Sequence, residues 1–400
     1  MIKPIRGGGS MNEKMVEVGI GQQEGDFDKA MPENLNDKAE TADIVQRLSR
    51  RSVQKCQPYI APVRDYSGRE IYLDANENPY AMPISLELMM NRYPDSQPEQ
   101  VIARYAEYLG IDREEILATL GGDSAIELLI KAFCEPKEDK LLYLPPTFGM
   151  YQVTCDLYDV ETVTVPLRED FSIDLEALLS NLDGTDNIKM LFLCSPNNPT
   201  GNVIPTKDIE TILEATRNKT IVVLDEAYIE FSDQASFATR VEEYPHLALV
   251  RTLSKAFALA GIRMGFVVAD RYLIDILRRV IAPYPLPVSA IAAAEMTLSP
   301  EGIAHMKKSR TKILQSRQKL EEALAGISII ERVYPSDANF LLVKVEDSQA
   351  LFEYLSDEGI FVRYQSAPAL ANMLRISVGL PEENEALIAA IKRYAKGLEV

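Results

Sequence analysis

Five polar residues in the middle of the chain could carry chemistry: Asn198, Asp225, Tyr228, Lys255 and Arg263. A lysine amine is a nucleophile toward carbonyl groups, and the planar fork of arginine pairs with oxyanions such as phosphate. The aspartate offers an anion, and the asparagine and the tyrosine offer hydrogen bonds. Each residue alone is ordinary, because aspartate at a strand end is usually a cap or turn residue and lysine is usually exposed. Their order and spacing together indicate one shared site.

The segments that must position these residues have the pattern of buried strands. Residues 141–144, 188–194, 221–224 and 247–250 are apolar on both faces and are followed by polar residues or prolines. The chain between them is long enough for crossover helices, so the pattern predicts an α/β fold with a central, mostly parallel sheet between helices. Ligands bind beyond the carboxyl ends of the strands in such sheets, and there the five polar residues would meet.

Changes in pattern along the chain predict four segments. Residues 1–45 combine a Gly-rich linker with an acidic stretch that lacks periodicity, so we expect a tag or linker and a disordered arm. Residues 46–80 are expected to contribute to a small domain and to a dimer contact, and residues 81–290 to form the large domain. Residues 291–400 are expected to form a smaller α+β domain. Its predicted elements are a helix over 303–324, strands over 340–345 and 374–378, and a final helix from Glu382.

Composition excludes several classes of function. The chain has 400 residues, of which 46% are hydrophobic, and no apolar run reaches the roughly 18 residues that span a bilayer. The net charge of -18 disfavours nucleic acid and membrane partners. The 4 cysteines lack metal-like spacing and only 2 histidines are present, which argues against a metal site or a serine hydrolase. We therefore expect reduced thiols, a cytoplasmic location and chemistry that depends on an organic cofactor.

Taken together, Asn198 with the Pro-Thr-Gly turn after it, Asp225, Tyr228, Lys255 and Arg263 resemble the aspartate aminotransferase superfamily. That superfamily is fold type I of the pyridoxal-phosphate (PLP) enzymes, with a large domain and a smaller C-terminal one. The resemblance implies that Lys255 is catalytic and holds PLP through an imine bond. It also implies that Asp225 keeps the pyridine nitrogen protonated, while Asn198 and Tyr228 hydrogen-bond the oxygen of the ring.

Further residues would complete the cofactor site under this resemblance. Ser254 and Arg263 would hold the cofactor phosphate, and Phe148 would stack on the pyridine face. A second part of the phosphate site is expected where a helix over 125–133 begins, because helix N-termini bind anions. The residues expected there are Gly122, Asp123 and Ser124, in a stretch that could equally be a plain helix start.

Longer segments are similar to the histidinol-phosphate aminotransferase family. They read LDANENP at 73–79, RYPD at 92–95, IELLIKAF at 126–133, PPTFGMY at 145–151 and LSKAFALAG at 253–261. The resemblance runs from about residue 52 to the last helix. It implies amino transfer between L-histidinol phosphate and 2-oxoglutarate, giving imidazole-acetol phosphate and L-glutamate, in histidine biosynthesis.

The same resemblance implies a set of substrate-binding residues, Tyr59, Asn78, Arg363 and Arg375. The two arginines would bind the substrate phosphate and, in the other half-reaction, the dicarboxylate, because their planar forks pair with either anion. Tyr93 would reach the cofactor phosphate of a neighbouring subunit, which implies a homodimer with shared active sites.

Two departures from the family pattern leave alternatives open. The ring-stacking position is often tyrosine in the family and is Phe148 here, and the loop 364–370 carries no further basic residue. An aminotransferase of broad aromatic specificity is therefore one alternative, and a PLP-dependent decarboxylase of phosphothreonine type is another. A non-catalytic, cofactor-binding regulator is a third, which the acidic charge and the lack of a helix-turn-helix pattern disfavour.

Overall fold

The computed structural model describes residues 71–73, 76, 80, 94–217 and 219–398. These residues build one sheet of seven strands and one of five, with helices packed against them. The segment predicted over 1–45 lies outside the described part of the chain, as does the segment predicted over 46–80 except for residues 71–73, 76 and 80. The first described strand, β1 (Ile71–Leu73), joins the smaller sheet.

The larger sheet contains the strands that the sequence predicts and adds strands to them. Its members are β2 (Ile116–Thr119), β3 (Lys140–Tyr143), β4 (Glu161–Thr164), β5 (Ile188–Cys194), β6 (Ile221–Asp225), β7 (Leu247–Thr252) and β8 (Gly265–Ala269). Their order in space is β2-β8-β7-β6-β5-β3-β4, and neighbours run parallel except where β8 pairs with β7 and β2. All residues of β7 and β8 are buried, because helices cover both faces. The predicted α/β fold with a mostly parallel sheet is confirmed.

Helices of the larger unit alternate with these strands. They are α1 (Glu99–Leu109), α2 (Gly121–Phe133), α3 (Met150–Tyr158), α4 (Leu175–Gly184), α5 (Thr206–Thr216), α6 (Arg271–Arg278) and α7 (Val288–Thr297). Helix α2 begins at Gly121, four residues before the predicted start, so residues 121–124 form its first turn. Glycines make this possible: Gly121 has a φ of +80°, and a β-carbon at Gly265 would lie 2.6 Å from the Gly121 carbonyl carbon.

The smaller sheet carries the C-terminal part of the chain together with β1. Its other strands are β9 (Ile330–Val333), β10 (Phe340–Val345), β11 (Ile360–Tyr364) and β12 (Met373–Ser377), in the spatial order β1-β11-β12-β10-β9. Its helices are α8 (Pro300–Ala325), α9 (Ser348–Asp357) and α10 (Pro381–Leu398). Helix α8 starts earlier than predicted because Ser299 caps it and Pro300 suits its first turn. Across the described ranges, no helix has the length and hydropathy of a bilayer-spanning segment.

Candidate active site

A cavity of about 430 Å³ lies beyond the carboxyl ends of β5, β6 and β7. One wall comes from the smaller sheet, through Arg363 of β11 and Arg375 of β12. Of the predicted site residues that the structure describes, all except Ser124 line this cavity: Gly122, Asp123, Phe148, Asn198, Asp225, Tyr228, Ser254, Lys255, Arg263, Arg363 and Arg375. The predictions for Tyr59, Asn78 and Tyr93 fall outside the described residues.

Asp225 ends β6 and is 4% exposed. Its Oδ2 accepts a hydrogen bond from the Tyr151 hydroxyl at 2.7 Å, and its Oδ1 accepts one from the Ala227 N–H at 3.1 Å. Burial raises the pKa of this carboxyl to about 6, although both hydrogen bonds act in the opposite direction. Since both of these donors are neutral, a cationic group in the cavity would stabilise the ionised carboxylate.

Tyr228 and Asn198 both present hydrogen-bonding groups to the cavity. The Tyr228 hydroxyl accepts a hydrogen bond from Asn76 Nδ2 at 3.1 Å, and burial raises its pKa to about 12, so the phenol keeps its proton. Asn198 Oδ1 accepts a hydrogen bond from Arg375 Nη1 at 2.6 Å. With their oxygens already accepting, the tyrosine O–H and the asparagine NH₂ are the groups that remain to donate.

Lys255 and Ser254 lie in the turn that follows β7. Lys255 Nζ lies 5.6 Å from the centroid of the Tyr228 ring. Ser254 Oγ accepts hydrogen bonds from Thr252 Oγ1 at 2.9 Å and from Arg263 Nη1 at 3.4 Å. The Ser254 hydrogen is then left to donate toward the cavity. This turn therefore brings a lysine amine and a hydroxyl donor to one place.

The first turn of α2 lies against Arg263. Arg263 Nη2 contacts Asp123 Oδ2 at 3.1 Å, and both side chains are partly exposed. Gly122 and Asp123 line the cavity that holds Asp225 and Lys255, where the N–H groups of a helix N-terminus favour an anion. The structure does not bring Ser124 to them, because it lines a separate cavity of about 220 Å³ with Glu127 and Lys131. Glu127 and Lys131 follow Ser124 by three and seven residues, so all three side chains lie on one face of α2.

Arg363 and Arg375 lie directly opposite each other on the antiparallel strands β11 and β12. Cross-strand partners point to the same face of a sheet, and both arginines line the cavity. Arg375 is only 9% exposed, and its guanidinium carbon lies 5.4 Å from the centroid of the Phe340 ring. Two adjacent guanidinium groups on a half-buried wall are suited to a dianion such as a phosphate or a dicarboxylate.

A buried ion-pair cluster lies at the ends of β6 and β7. Arg251 of β7 is 2% exposed and pairs with Glu226 at 2.7 Å and with Glu230. Glu226 directly follows Asp225, so the cluster connects the strand end that carries the aspartate to the strand that precedes Lys255. Breaking a buried pair of this kind by removing one partner is strongly destabilising.

Sequence reasoning missed two residues that organise the site, Asn76 and Tyr151. Both lie in segments that resemble the family, at 73–79 and 145–151, but neither was identified as a site residue. Their partners are far away in sequence: Asn76 binds a tyrosine 152 residues later, and Tyr151 binds an aspartate 74 residues later. Such contacts depend on the fold and leave no local signal.

Comparisons with known proteins agree over most of the chain. Residues 71–391 match the family described as aminotransferase class I and II. Histidinol-phosphate aminotransferase 1 of Pasteurella multocida (strain Pm70) is 47% identical over 353 residues, which cover 88% of this chain and 99% of that protein. Histidinol-phosphate aminotransferase of Escherichia coli O81 (strain ED1a) is 46% identical over 347 residues, covering 86% and 97%.

A solved structure shows the same fold. Histidinol-phosphate aminotransferase from Sinorhizobium meliloti, in complex with pyridoxal-5'-phosphate, superposes with a TM-score of 0.77 at 22% identity. The match covers 88% of this chain and 98% of that one. The predicted PLP-enzyme fold is thus confirmed by structure, and the family by sequence. This chain belongs to the class I and II aminotransferase family and, within it, to the histidinol-phosphate aminotransferases.

Proposed function

We propose that this enzyme transfers an amino group between L-histidinol phosphate and 2-oxoglutarate, giving imidazole-acetol phosphate and L-glutamate, in histidine biosynthesis. One observation carries the proposal: the paired arginines Arg363 and Arg375 share a cavity with Lys255 and Asp225. A site of this kind combines an amine nucleophile with a seat for an anionic substrate. The identity of 46–47% to histidinol-phosphate aminotransferases supports the choice of substrate.

Family membership makes PLP the cofactor, and the groups in the cavity fit it. When bound, PLP supplies a carbonyl that captures amines and a ring that withdraws electrons from the substrate. Asp225 would hold the ring nitrogen, Tyr228 and Asn198 would donate to the ring oxygen, and Phe148 would cover a ring face. The cofactor phosphate would bind at the N-terminus of α2, at Gly122 and Asp123, and would also contact Ser254 and Arg263.

Lys255 has two tasks in this proposal. Its amine would hold the cofactor between turnovers. With substrate bound, Lys255 Nζ would be the base that removes the proton from the substrate α-carbon and the acid that delivers that proton to the cofactor. The position of the amine supports this double role, because Lys255 lines the same cavity as Asp225 and the paired arginines.

Arg363 and Arg375 select the substrate in this scheme. Their forks would hold the phosphate of L-histidinol phosphate in one half-reaction and the dicarboxylate of 2-oxoglutarate in the other. We extend the proposal to a cytoplasmic homodimer with shared active sites. In this dimer Tyr93 reaches the cofactor of the partner subunit, and Tyr59 and Asn78 contact the substrate. The support for this extension is the similarity of the segments around these residues to the family.

The test is an absorption spectrum of the PLP-loaded protein before and after addition of L-histidinol phosphate alone. Loss of the visible cofactor band, with growth of a near-ultraviolet band, is the expected result. The outcome that contradicts the substrate is a band that responds only to phenylalanine or tyrosine, which would favour the aromatic aminotransferase. Release of carbon dioxide from phosphothreonine would favour the decarboxylase.

A further inference from the structure

A series of hydrogen bonds connects Tyr228, which follows β6 of the larger sheet, to strand β12 of the smaller sheet through Asn76. Asn76 is 1% exposed, and its Nδ2 donates to the Tyr228 hydroxyl at 3.1 Å. Its backbone N–H donates to Ser377 Oγ at 2.8 Å, and Ser377 Oγ donates in turn to Asn76 Oδ1 at 2.9 Å. Asn76 therefore lies between the cavity and the last residue of β12.

The partners in this series of hydrogen bonds determine which atoms donate. Ser377 Oγ already accepts from the Asn76 N–H, so its single hydrogen goes to Asn76 Oδ1. That bond identifies the oxygen side of the amide, and the NH₂ side then faces Tyr228. Because the Tyr228 oxygen accepts from Asn76, its own hydrogen points away from Asn76 and toward the cavity.

The backbone of Asn76 is held in a conformation that few residues adopt. Its φ is 54°, in the left-handed region, where asparagine is among the better tolerated side chains. Asn339, which is fully buried, donates from Nδ2 to the Asn76 carbonyl at 2.9 Å. A second asparagine thus holds the first in place, which fits a residue whose orientation matters.

We propose that Asn76 is a positioning residue that directs the Tyr228 hydroxyl hydrogen toward the oxygen of the PLP ring and, through Ser377, ties that direction to the smaller sheet. This inference rests on the proposed function, because it requires PLP to lie against Tyr228. Asn76 acts through Tyr228 and takes no part in proton transfer. A donor held in this direction stabilises the ionised ring oxygen and so lowers the pKa of the cofactor's imine.

Other charged or titratable groups also face Tyr228 and must stay constant in a test. Arg375 lowers the pKa of Tyr228, whereas Cys194 and Asp225 raise it, and Lys255 Nζ lies over the ring. None of these contacts involves Asn76. A change at Asn76 therefore alters the direction of the Tyr228 hydrogen without removing any of these groups.

The decisive variant is Asn76→Asp, which keeps the size of the side chain and tolerates the left-handed backbone. A carboxylate can only accept, so the Tyr228 hydrogen turns toward residue 76 and away from the cavity. We measure the pH midpoint of the visible cofactor band in the PLP-loaded protein without substrate. The expected shift is upward by about 1 to 2 pH units, the size of a hydrogen bond to a charged group.

A new negative charge could raise the midpoint by itself, so Asn76→Asp is repeated in a Tyr228→Phe background. If Asn76 acts through Tyr228, Asn76→Asp shifts the midpoint much less in the Tyr228→Phe background than in the wild-type background. Equal shifts in both backgrounds overturn the proposal, as does no shift at all. Asn372→Asp is the matched control, because Asn372 has a φ of 60°, is exposed and lies outside the cavity, so its midpoint stays at the wild-type value.

A neutral second variant, Ser377→Ala, keeps the inference testable if Asn76→Asp does not fold. Without the Ser377 hydroxyl the amide of Asn76 can rotate, so a smaller upward shift is expected, and an unchanged midpoint counts against the proposal. Absence of any visible band in the wild-type protein incubated with PLP would instead contradict the proposed function. The two failures are therefore distinguishable.

Discussion

The carboxyl edge of the larger sheet and the β11–β12 face of the smaller sheet contribute to one cavity in different ways. At the larger edge, single polar residues follow separate strands, and neighbours hold each one: Tyr151 binds Asp225, and Thr252 binds Ser254. On the smaller face, Arg363 and Arg375 form one cross-strand pair of like charge. In the proposed function, the first region holds the cofactor and the second attracts an anionic substrate.

The two regions meet through two hydrogen bonds from β12. Arg375 donates to Asn198, and Ser377 donates to Asn76, which in turn binds Tyr228. The smaller sheet therefore contacts both groups that we expect to hydrogen-bond the ring oxygen. The comparison suggests that chemistry belongs to the larger edge and substrate selection to the smaller face, with β12 joining them.

Replacement of Lys255 by alanine should have the largest effect. Loss of the amine removes both the cofactor attachment and the acid–base group, so turnover should fall by more than about 10⁴-fold. The fold should persist, because the side chain lies at the cavity wall. Assays of amino transfer and thermal unfolding measure the two effects. Lys219→Ala, at an exposed ion pair, is the control; retained turnover in Lys255→Ala would refute the assigned role.

Asp225→Asn should show how much the buried, ionised carboxylate of Asp225 destabilises the protein when PLP is removed. The carboxyl pKa is raised from 3.8 to about 6, roughly 2 units, so the ionised group destabilises the folded protein by about 3 kcal/mol at neutral pH. The stabilising effect of the protonated carboxyl is complete below pH 4 and is lost as the pH rises to 6. The cofactor-free variant should therefore be more stable than wild type at pH 7.5.

Urea unfolding of cofactor-free protein at pH 4 and pH 7.5 measures this effect. The difference in the free energy of unfolding between Asp225→Asn and wild type should nearly vanish at pH 4, where the side chain of residue 225 is neutral in both folded proteins. Asp183→Asn, at a largely exposed position, should change little at either pH. A variant that is less stable than wild type at pH 7.5 would contradict the role of burial.

Sequence reasoning succeeded where the signal is local. The strands at 188–194 and 221–225 show as apolar runs, and the polar residues after them show where the runs end. Strand β8 was not predicted although its residues, GFVVA, are apolar; its place between β2 and β7 and its antiparallel direction have no local signal. The contacts of Asn76 and Tyr151 were beyond reach for the same reason. That Ser124 lines the neighbouring cavity follows from the rotational position of its side chain on α2, which depends on where the helix begins.

The two arginines of the smaller face should differ from each other. Arg375 is nearly buried and donates a hydrogen bond to Asn198, whereas Arg363 is half-buried. Arg363→Lys should mainly raise KM for both substrates, because lysine lacks the planar fork. Arg375→Lys should raise KM by about 10- to 100-fold and also lower kcat. Steady-state kinetics separate the two, and equal effects on kcat would show that the link through Asn198 is unimportant.

The smallest effects should separate two serines at the larger edge. Ser254 Oγ accepts from Thr252 and Arg263, so its hydrogen is directed to the cavity, and Ser254→Ala should weaken PLP binding by about 10-fold. Ser124 lines the neighbouring cavity, so any part it has in phosphate binding comes from its backbone N–H, which alanine keeps. Titration of cofactor-free protein with PLP should give a Ser124→Ala dissociation constant within about twofold of wild type. A loss as large as that of Ser254→Ala would mean that the Ser124 hydroxyl reaches the phosphate, and the first turn of α2 would then have to rotate toward Arg263.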